Sequence, residues 1–249
     1  NTKVECSFSV EWSGSGAAGT APRVGKALRA CGFSETIAAN TSVTYAPVSG
    51  SFESATIYYN VDGVLHKTTG CRGSFILETE VGELPKLNFT FTGIYIPPTD
   101  VALPAITYGQ QSTPLIVKNG NTSGFQLLSY SGSLQALTID AGIETEYMEL
   151  VGGTKEVHLI NRATSGTVTM EAVKVATKDY FAAALLDTSL GNLTLTHGTV
   201  AGNIVQFSSS NIDIGDVSYT ETNGIVMAEI PFTAVPSTSG NDEFSLIYR

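Results

Sequence analysis

Three cysteines, one tryptophan, three methionines and only 13 lysines and arginines in 249 residues narrow the field at once. Cys6, Cys31 and Cys71 form no C-x-x-C pair and no even disulfide framework, so they read as reduced thiols of a protein assembled in a cytoplasm, with one internal pair plus a free thiol as the alternative. Charged residues make up 14% and the formal net charge is −10, which argues against a protein that grips nucleic acid by neutralising phosphates, since such proteins carry a basic stripe. No run approaches the roughly 18 apolar residues of a membrane helix, and Asn1-Thr2-Lys3-Val4-Glu5 lacks the apolar core of a signal peptide. The expectation is a chain without membrane insertion.

Long helical periodicity is also scarce. With 25 glycines and abundant Ser, Thr and Val, the composition favours an all-β dominated fold, and the length allows one large domain or two ordinary ones.

The strongest local signal lies between Ser54 and Tyr95. Ala55–Val61 and Val64–Thr68 flank Asp62-Gly63, a pair suited to a two-residue turn in which both residues need positive φ. Ser74–Val81 then passes through Gly82-Glu83-Leu84-Pro85 into Lys86–Tyr95, where Leu87, Phe89 and Phe91 alternate with Asn88, Thr90 and Thr92. Four antiparallel strands with one apolar face must close, be covered or pair with another chain.

Val4–Trp12 alternates as a half-buried strand and is followed by the flexible loop Gly14–Gly19. A short helix is expected from Thr20, as N-cap, to Gly32, with Val24, Ala27, Leu28 and Cys31 on its buried side. Arg23, Lys26 and Arg29 on its other face are either solvated or meet an acidic neighbour. Ser42–Val48 is a further strand.

Ile96–Gly120, with prolines at 97, 98, 104 and 114, reads as a connector or arm. This divides the chain into a first domain, residues 1–95, a connector, 96–122, and a second domain, 123–249, ending in a C-terminal arm. Strands are expected in the second part at Gly124–Ser129, Leu134–Asp140, Thr145–Leu150, Val157–Asn161, Gly166–Val173, Leu193–His197, Asn203–Asn211 and Ile225–Val235. A second short helix is expected at Thr177–Asp187, and Pro231 suits an edge or a bulge. The order helix, strand, strand pair, break, strand over Thr20–Tyr95 recurs over Thr177–Val235, matching Leu87–Thr92 with Ala228–Thr233 and pointing to an internal duplication.

Catalytic signals are weak. His66, His158 and His197 are far apart and none has a second ligand at metal-site spacing. No nucleophile elbow, phosphate loop or dinucleotide fingerprint occurs, so neither catalysis nor a cofactor is expected. Glu78 and Glu80 share a strand face, and Glu144, Glu146 and Glu149 surround Tyr147. Two carboxylates are all that glycoside hydrolysis asks for, but solvated strand faces and turns account for both groups.

Several stretches resemble the tail tube (major tail) proteins of long-tailed, non-contractile bacteriophages. They are Gly16-Ala17-Ala18-Gly19-Thr20-Ala21-Pro22 before Leu28-Arg29-Ala30-Cys31-Gly32-Phe33, Tyr45-Ala46-Pro47-Val48-Ser49, Tyr58 through Asp62-Gly63-Val64-Leu65-His66, and Phe89-Thr90-Phe91-Thr92-Gly93. Later ones are Ala176–Ala184, His197–Val205 and Gly240-Asn241-Asp242-Glu243.

The resemblance implies an antiparallel β-sandwich with short flanking helices, whose copies form rings stacked into a hollow tube that conducts DNA. It implies a homo-oligomer in the virion tail, assembled in the host bacterial cytoplasm, with tail completion and tail-tip proteins as partners and DNA as non-specific cargo. Two tube domains per chain imply trimeric, pseudo-hexameric rings; hexameric rings are the alternative. Geometry permits the former, since roughly 24 strands spaced about 4.8 Å apart and tilted about 40° close into a cylinder roughly 48 Å across. A β-sandwich adhesin or carbohydrate-binding module is the competing reading, against which Tyr58, Tyr59, Phe89 and Phe91 follow strand alternation instead of clustering on a loop.

A conduit must not bind its cargo, so its wall is expected to be acidic or neutral. Residues 1–100 hold 7 basic against 9 acidic side chains and residues 101–249 hold 6 against 14, so the second part supplies most of the negative charge. Glu78 and Glu80 in the first half and Asp213 and Asp216 in the second are the expected lumen-facing residues.

Overall fold

The computed structural model describes residues 2–107, 111–186 and 190–249. The first half contains β1 (Lys3–Glu11), α1 (Gly25–Ala30), β2 (Phe33–Ala38), β3 (Ser42–Pro47), β4 (Ala55–Val61), β5 (Val64–Glu80) and β6 (Lys86–Asp100). Next come β7 (Thr122–Leu127), β8 (Leu134–Asp140), β9 (Ile143–Glu149), β10 (Lys155–Arg162) and β11 (Ser165–Glu171). The rest is α2 (Tyr180–Ala184), β12 (Gly191–His197), β13 (Val205–Ile214), β14 (Ser218–Thr222), β15 (Ile225–Ala234) and β16 (Ser245–Tyr248). The architecture is all-β, as composition required.

Two layers make the sandwich. One runs β1-β6-β5-β8-β11-β15, with β4 beside β5 and β14 beside β15. The other runs β7-β12-β13-β16-β3-β2, and β13 ties the layers by pairing through Ile212–Ile214 with β15. Alternation fills the space between them: Phe75, Leu77, Leu87, Phe89, Leu137, Ile139, Val168 and Ile230 from the first layer, Val43, Tyr45, Leu195, Val205, Phe207 and Leu246 from the second, all buried. Phe33 packs on Phe75 with ring centroids 5.5 Å apart, and on Phe244 at 5.4 Å, so aromatic contact crosses the core. Each fully buried side chain of this size contributes about 2 kcal/mol from area removed from water.

Turn chemistry follows the sequence where it was clearest. Val61 pairs with Val64 across Asp62 and Gly63, whose φ values of 45° and 85° are those the two-residue hairpin demands. A second hairpin of the same kind joins β14 to β15 through Asn223 and Gly224, φ 53° and 82°. The expected separate strands Val64–Thr68 and Ser74–Val81 are one 17-residue strand, β5, because a register shift between Thr69 and Arg72 lets pairing with β6 resume.

The supposed connector begins later than expected. β6 continues through Pro97 and Pro98 to Asp100, and the β5–β6 register shifts between Leu65 and Lys67, opposite the two residues that lack an N–H. Part of the arm, residues 108–110, lies outside the described residues, as does Asp187, the expected end of the second helix. Pro231 falls where the outer partner of β15 changes from β14, ending at Glu229, to β13, starting at Phe232. Its missing donor therefore costs no ladder bond on that side.

β2 and β14 were not foreseen; both are short, and β14 is exposed on nearly every residue. The helices are shorter than expected. Thr20 does not cap α1, which begins at Gly25 with Val24 in the cap position and no side-chain cap, whereas Asp179 caps α2 by accepting from the Ala182 N–H at 2.8 Å.

The order helix, hairpin, hairpin recurs: α1-β2-β3-β4-β5 and α2-β12-β13-β14-β15. Element order therefore matches Ala228–Thr233, in β15, with β5, and not with Leu87–Thr92 in β6. The C-terminal segment is not a free arm either. Leu246 pairs with Phe207 on one side and Tyr45 on the other, placing β16 between the two β-hairpins of its layer. The Gly14–Gly19 loop is also held, by Gly16 N–H on the Gly202 carbonyl at 2.9 Å and Gly14 N–H on Asn203 Oδ1 at 3.1 Å.

Candidate functional site: an acidic sheet face

Antiparallel partners share a face, so register decides which polar side chains meet. Glu11, Lys86, Glu78, Thr138, Thr167 and Pro231 form one row across six strands. The next row is Ser9, Asn88, Ile76, Asp140, Ser165, Thr233 and Asp213, and a third is Glu80, Ala136, Thr169, Glu229 and Ser218. All stand on the side of the sheet opposite Phe75, Leu77 and Leu137.

Three of the four expected residues therefore come together. Glu78, Glu80 and Asp213 share this face although 133 positions separate Glu80 from Asp213 in the chain. Asp216 lies in the loop between β13 and β14, where no ladder fixes its side. Register also brings in Glu5, Glu11, Asp140, Glu171 and Glu229, which period-2 alternation alone could not assign to a common surface. Against these eight carboxylates stand Lys3, Lys67, Arg72 and Lys86, a net charge of −4 on the face.

Local bonds keep the face ordered. Ser9 Oγ donates to Asn88 Oδ1 at 2.6 Å, and Asn88 Nδ2 donates to Glu78 Oε2 at 2.7 Å. Arg72 turns toward the β9–β10 hairpin, bonding Glu156 at 2.7 Å and the Phe52 carbonyl at 3.0 Å; its guanidinium holds the Glu156 carboxyl below the usual range. The far face of the other layer differs in kind: Ser34, Thr36, Thr44, Ala46, Gln206, Ser208, Thr194 and Thr196 carry no charge.

The remaining candidates lie on β5, β9, β10 and β12. Glu144, Glu146 and Glu149 lie on β9, and Glu149 accepts from Tyr147 Oη at 3.0 Å and pairs with Lys155 at 2.8 Å, which lowers its pKa. His66 is on β5 and His158 on β10, while buried His197 on β12 holds Thr122 Oγ1 at 2.8 Å through Nδ1 and the Leu115 carbonyl at 3.0 Å through Nε2. Among the described residues no three His, Cys, Asp or Glu side chains group as a metal site. No described helix is long and apolar enough to cross a membrane.

A double-layered antiparallel sandwich with one broad acidic face, its β1 and β14 edges unpaired among the described residues, defines the class as an all-β scaffold. Within that class, a family model described as phage tail tube protein matches residues 1–234, and the chain belongs to this family of structural virion proteins. Comparison with individually curated proteins gives no match.

Proposed function

We propose that this chain is the building block of the tail tube: copies join into rings, rings stack, and genomic DNA passes through the bore during ejection from a long-tailed, non-contractile phage. The observation that carries the reading is the family match over residues 1–234, taken with a layer whose two end strands have no outer partner among the described residues. Residues 1–95 and 123–249 act as two tube domains joined by 96–122, so three chains make a pseudo-sixfold ring; the recurring helix-hairpin-hairpin order supports this. Assembly takes place in the host cytoplasm, and tail completion and tail-tip proteins close the two ends. The role needs no catalytic group or cofactor.

The acidic face carrying Glu78, Glu80 and Asp213 is the lumen wall. Its net charge repels the duplex, and the absence of a basic array there removes the salt-dependent grip that would stall cargo. The uncharged Ser/Thr face then looks outward.

Electron microscopy of concentrated protein tests the reading, with mass photometry of released rings. Rings of three chains stacked into tubes are expected. Six chains per ring overturn the two-domain assignment, a basic bore overturns the wall assignment, and a protein that never associates overturns the function.

A further inference from the structure

Inside the chain the two halves of the layer meet through one strand pair, β5 with β8. β5 has β6 on one side and β4, then β8, on the other; β15 has β11 on one side and β14, then β13, on the other. β6 therefore corresponds to β11, and β1, beside β6, corresponds to β8, beside β11. β8 pairs across the middle of the chain with Ile76–Glu80 of β5. Its counterpart β1 has no partner on its outer edge among the described residues, and neither has β14 at the opposite end of the layer.

Side chains at the two ends match. Phe8 of β1, 36% exposed, stacks on Phe89 and Phe91 at 5.4 and 5.9 Å, so the core runs out to the edge in an open groove of about 330 Å³ beneath α1. Arg23, just before α1, and Lys26 within it line that groove and form no ion pair among the described residues. At the other end Tyr219 of β14, 57% exposed, lies on the α2 side against Phe181 at 5.9 Å, with exposed Glu221 and Asp216 nearby in sequence. Lys174 and Lys178 are the cations near that end, and Lys178 Nζ is taken by the Leu128 carbonyl at 2.7 Å. On the acidic side of the layer, β14 offers Ser218, Thr220 and Thr222, so Glu5 and Glu11 of β1 meet hydroxyls and not carboxylates.

We propose that, within the ring-forming reading above, the β1 edge and α1 groove of one copy receive the β14 edge and α2 face of the next. Phe8 and Val10 cover Tyr219 and Phe181, and Arg23 and Lys26 face Glu221 and Asp216. Such a head-to-tail contact closes only by rotation, and it falls on β14 because β13 already fills the edge of β15 that corresponds to the β8-binding edge of β5. Opposite charges at its rim set partner choice, because like charges brought together there are strongly unfavourable.

Charge exchange in the full-length chain tests the pairing. One variant carries Arg23→Glu with Lys26→Glu, a second carries Asp216→Lys with Glu221→Lys, and a third carries all four. Each two-site variant should raise the protein concentration needed for half-assembly at least about tenfold, with circular dichroism and melting unchanged; the four-site variant should return to within about threefold of the parent. If the parent assembles and either two-site variant assembles equally well, or the four-site variant fails to recover, this pairing is wrong while tube formation stands. A parent that stays monomeric overturns both.

Discussion

Arg162 grips Glu243 through two nitrogens, Nε at 3.1 Å and Nη2 at 2.6 Å, both aimed at Oε1. Arg162 also donates to the Val48 carbonyl at 3.0 Å, while the Glu243 carbonyl accepts from buried Ser209 Oγ at 2.6 Å. One pair thus pins β10, the end of β3 and the approach to β16. Removing one partner strands a charge that is largely buried, so Glu243→Ala should cost about 3 kcal/mol in urea unfolding. Deleting Gly240–Arg249 should abolish folding outright, since it removes a strand from the middle of a layer. A folded truncated monomer by circular dichroism would contradict that placement.

Glycines separate two kinds of constraint. Gly63, φ 85°, has open space around it, so Gly63→Ala should cost only the left-handed backbone term, about 1 kcal/mol. A Cβ on Gly73 would sit 2.2 Å from the Thr90 carbonyl oxygen and 2.7 Å from the Phe91 ring. Gly73→Ala should therefore cost about 3 kcal/mol, measured in the same unfolding experiment. Equal losses at both sites would refute the distinction.

What the sequence made legible depends on range. Asp62-Gly63 and the Leu87–Thr92 alternation act over a few residues, and both elements formed where expected. β16 reads as an arm in the sequence because Ser245–Tyr248 is short and its partners, Val43–Tyr45 and Val205–Ser208, are remote. Glu78 and Glu80 follow from alternation along one strand, whereas their company with Asp213 depends on four successive registers. Thr20 looked like a cap, but Pro22 accepts from the Gly25 N–H at 3.0 Å and makes a turn there, delaying the helix.

His197 should make stability fall in mild acid. Burial pushes its pKa below the ordinary 6.5, partly offset by its bond to the Leu115 carbonyl. In the window between the depressed native value and 6.5 the unfolded chain binds the extra proton, so stability is complete above 6.5 and declines as pH falls through that window. Denaturant midpoints at a series of pH values should drop more for the parent than for His197→Gln. Parallel curves for the two proteins would remove His197 as the cause.

Wall charge should control DNA mobility in assembled tubes. Replacing Glu78 and Glu80 by lysine shifts the face by +4 per chain, taking the named side chains from −4 to 0, and tubes so altered should retain short duplexes at low salt and release them as salt rises. Parent tubes should retain none. Retention by the parent, sensitive to salt, would contradict a repelling bore.

The position of β16 also has a consequence during synthesis. Tyr45 meets its partner Leu246 only after about 200 further residues have been made, which at bacterial elongation rates takes roughly 10 s or longer. Through that interval the outer edge of β3 is a nascent strand without its neighbour, in a cell making many identical chains. Ribosome-bound intermediates are therefore the stage at which this protein is most exposed to mispairing, and a chaperone shielding Val43–Tyr45 would act before the second layer can close.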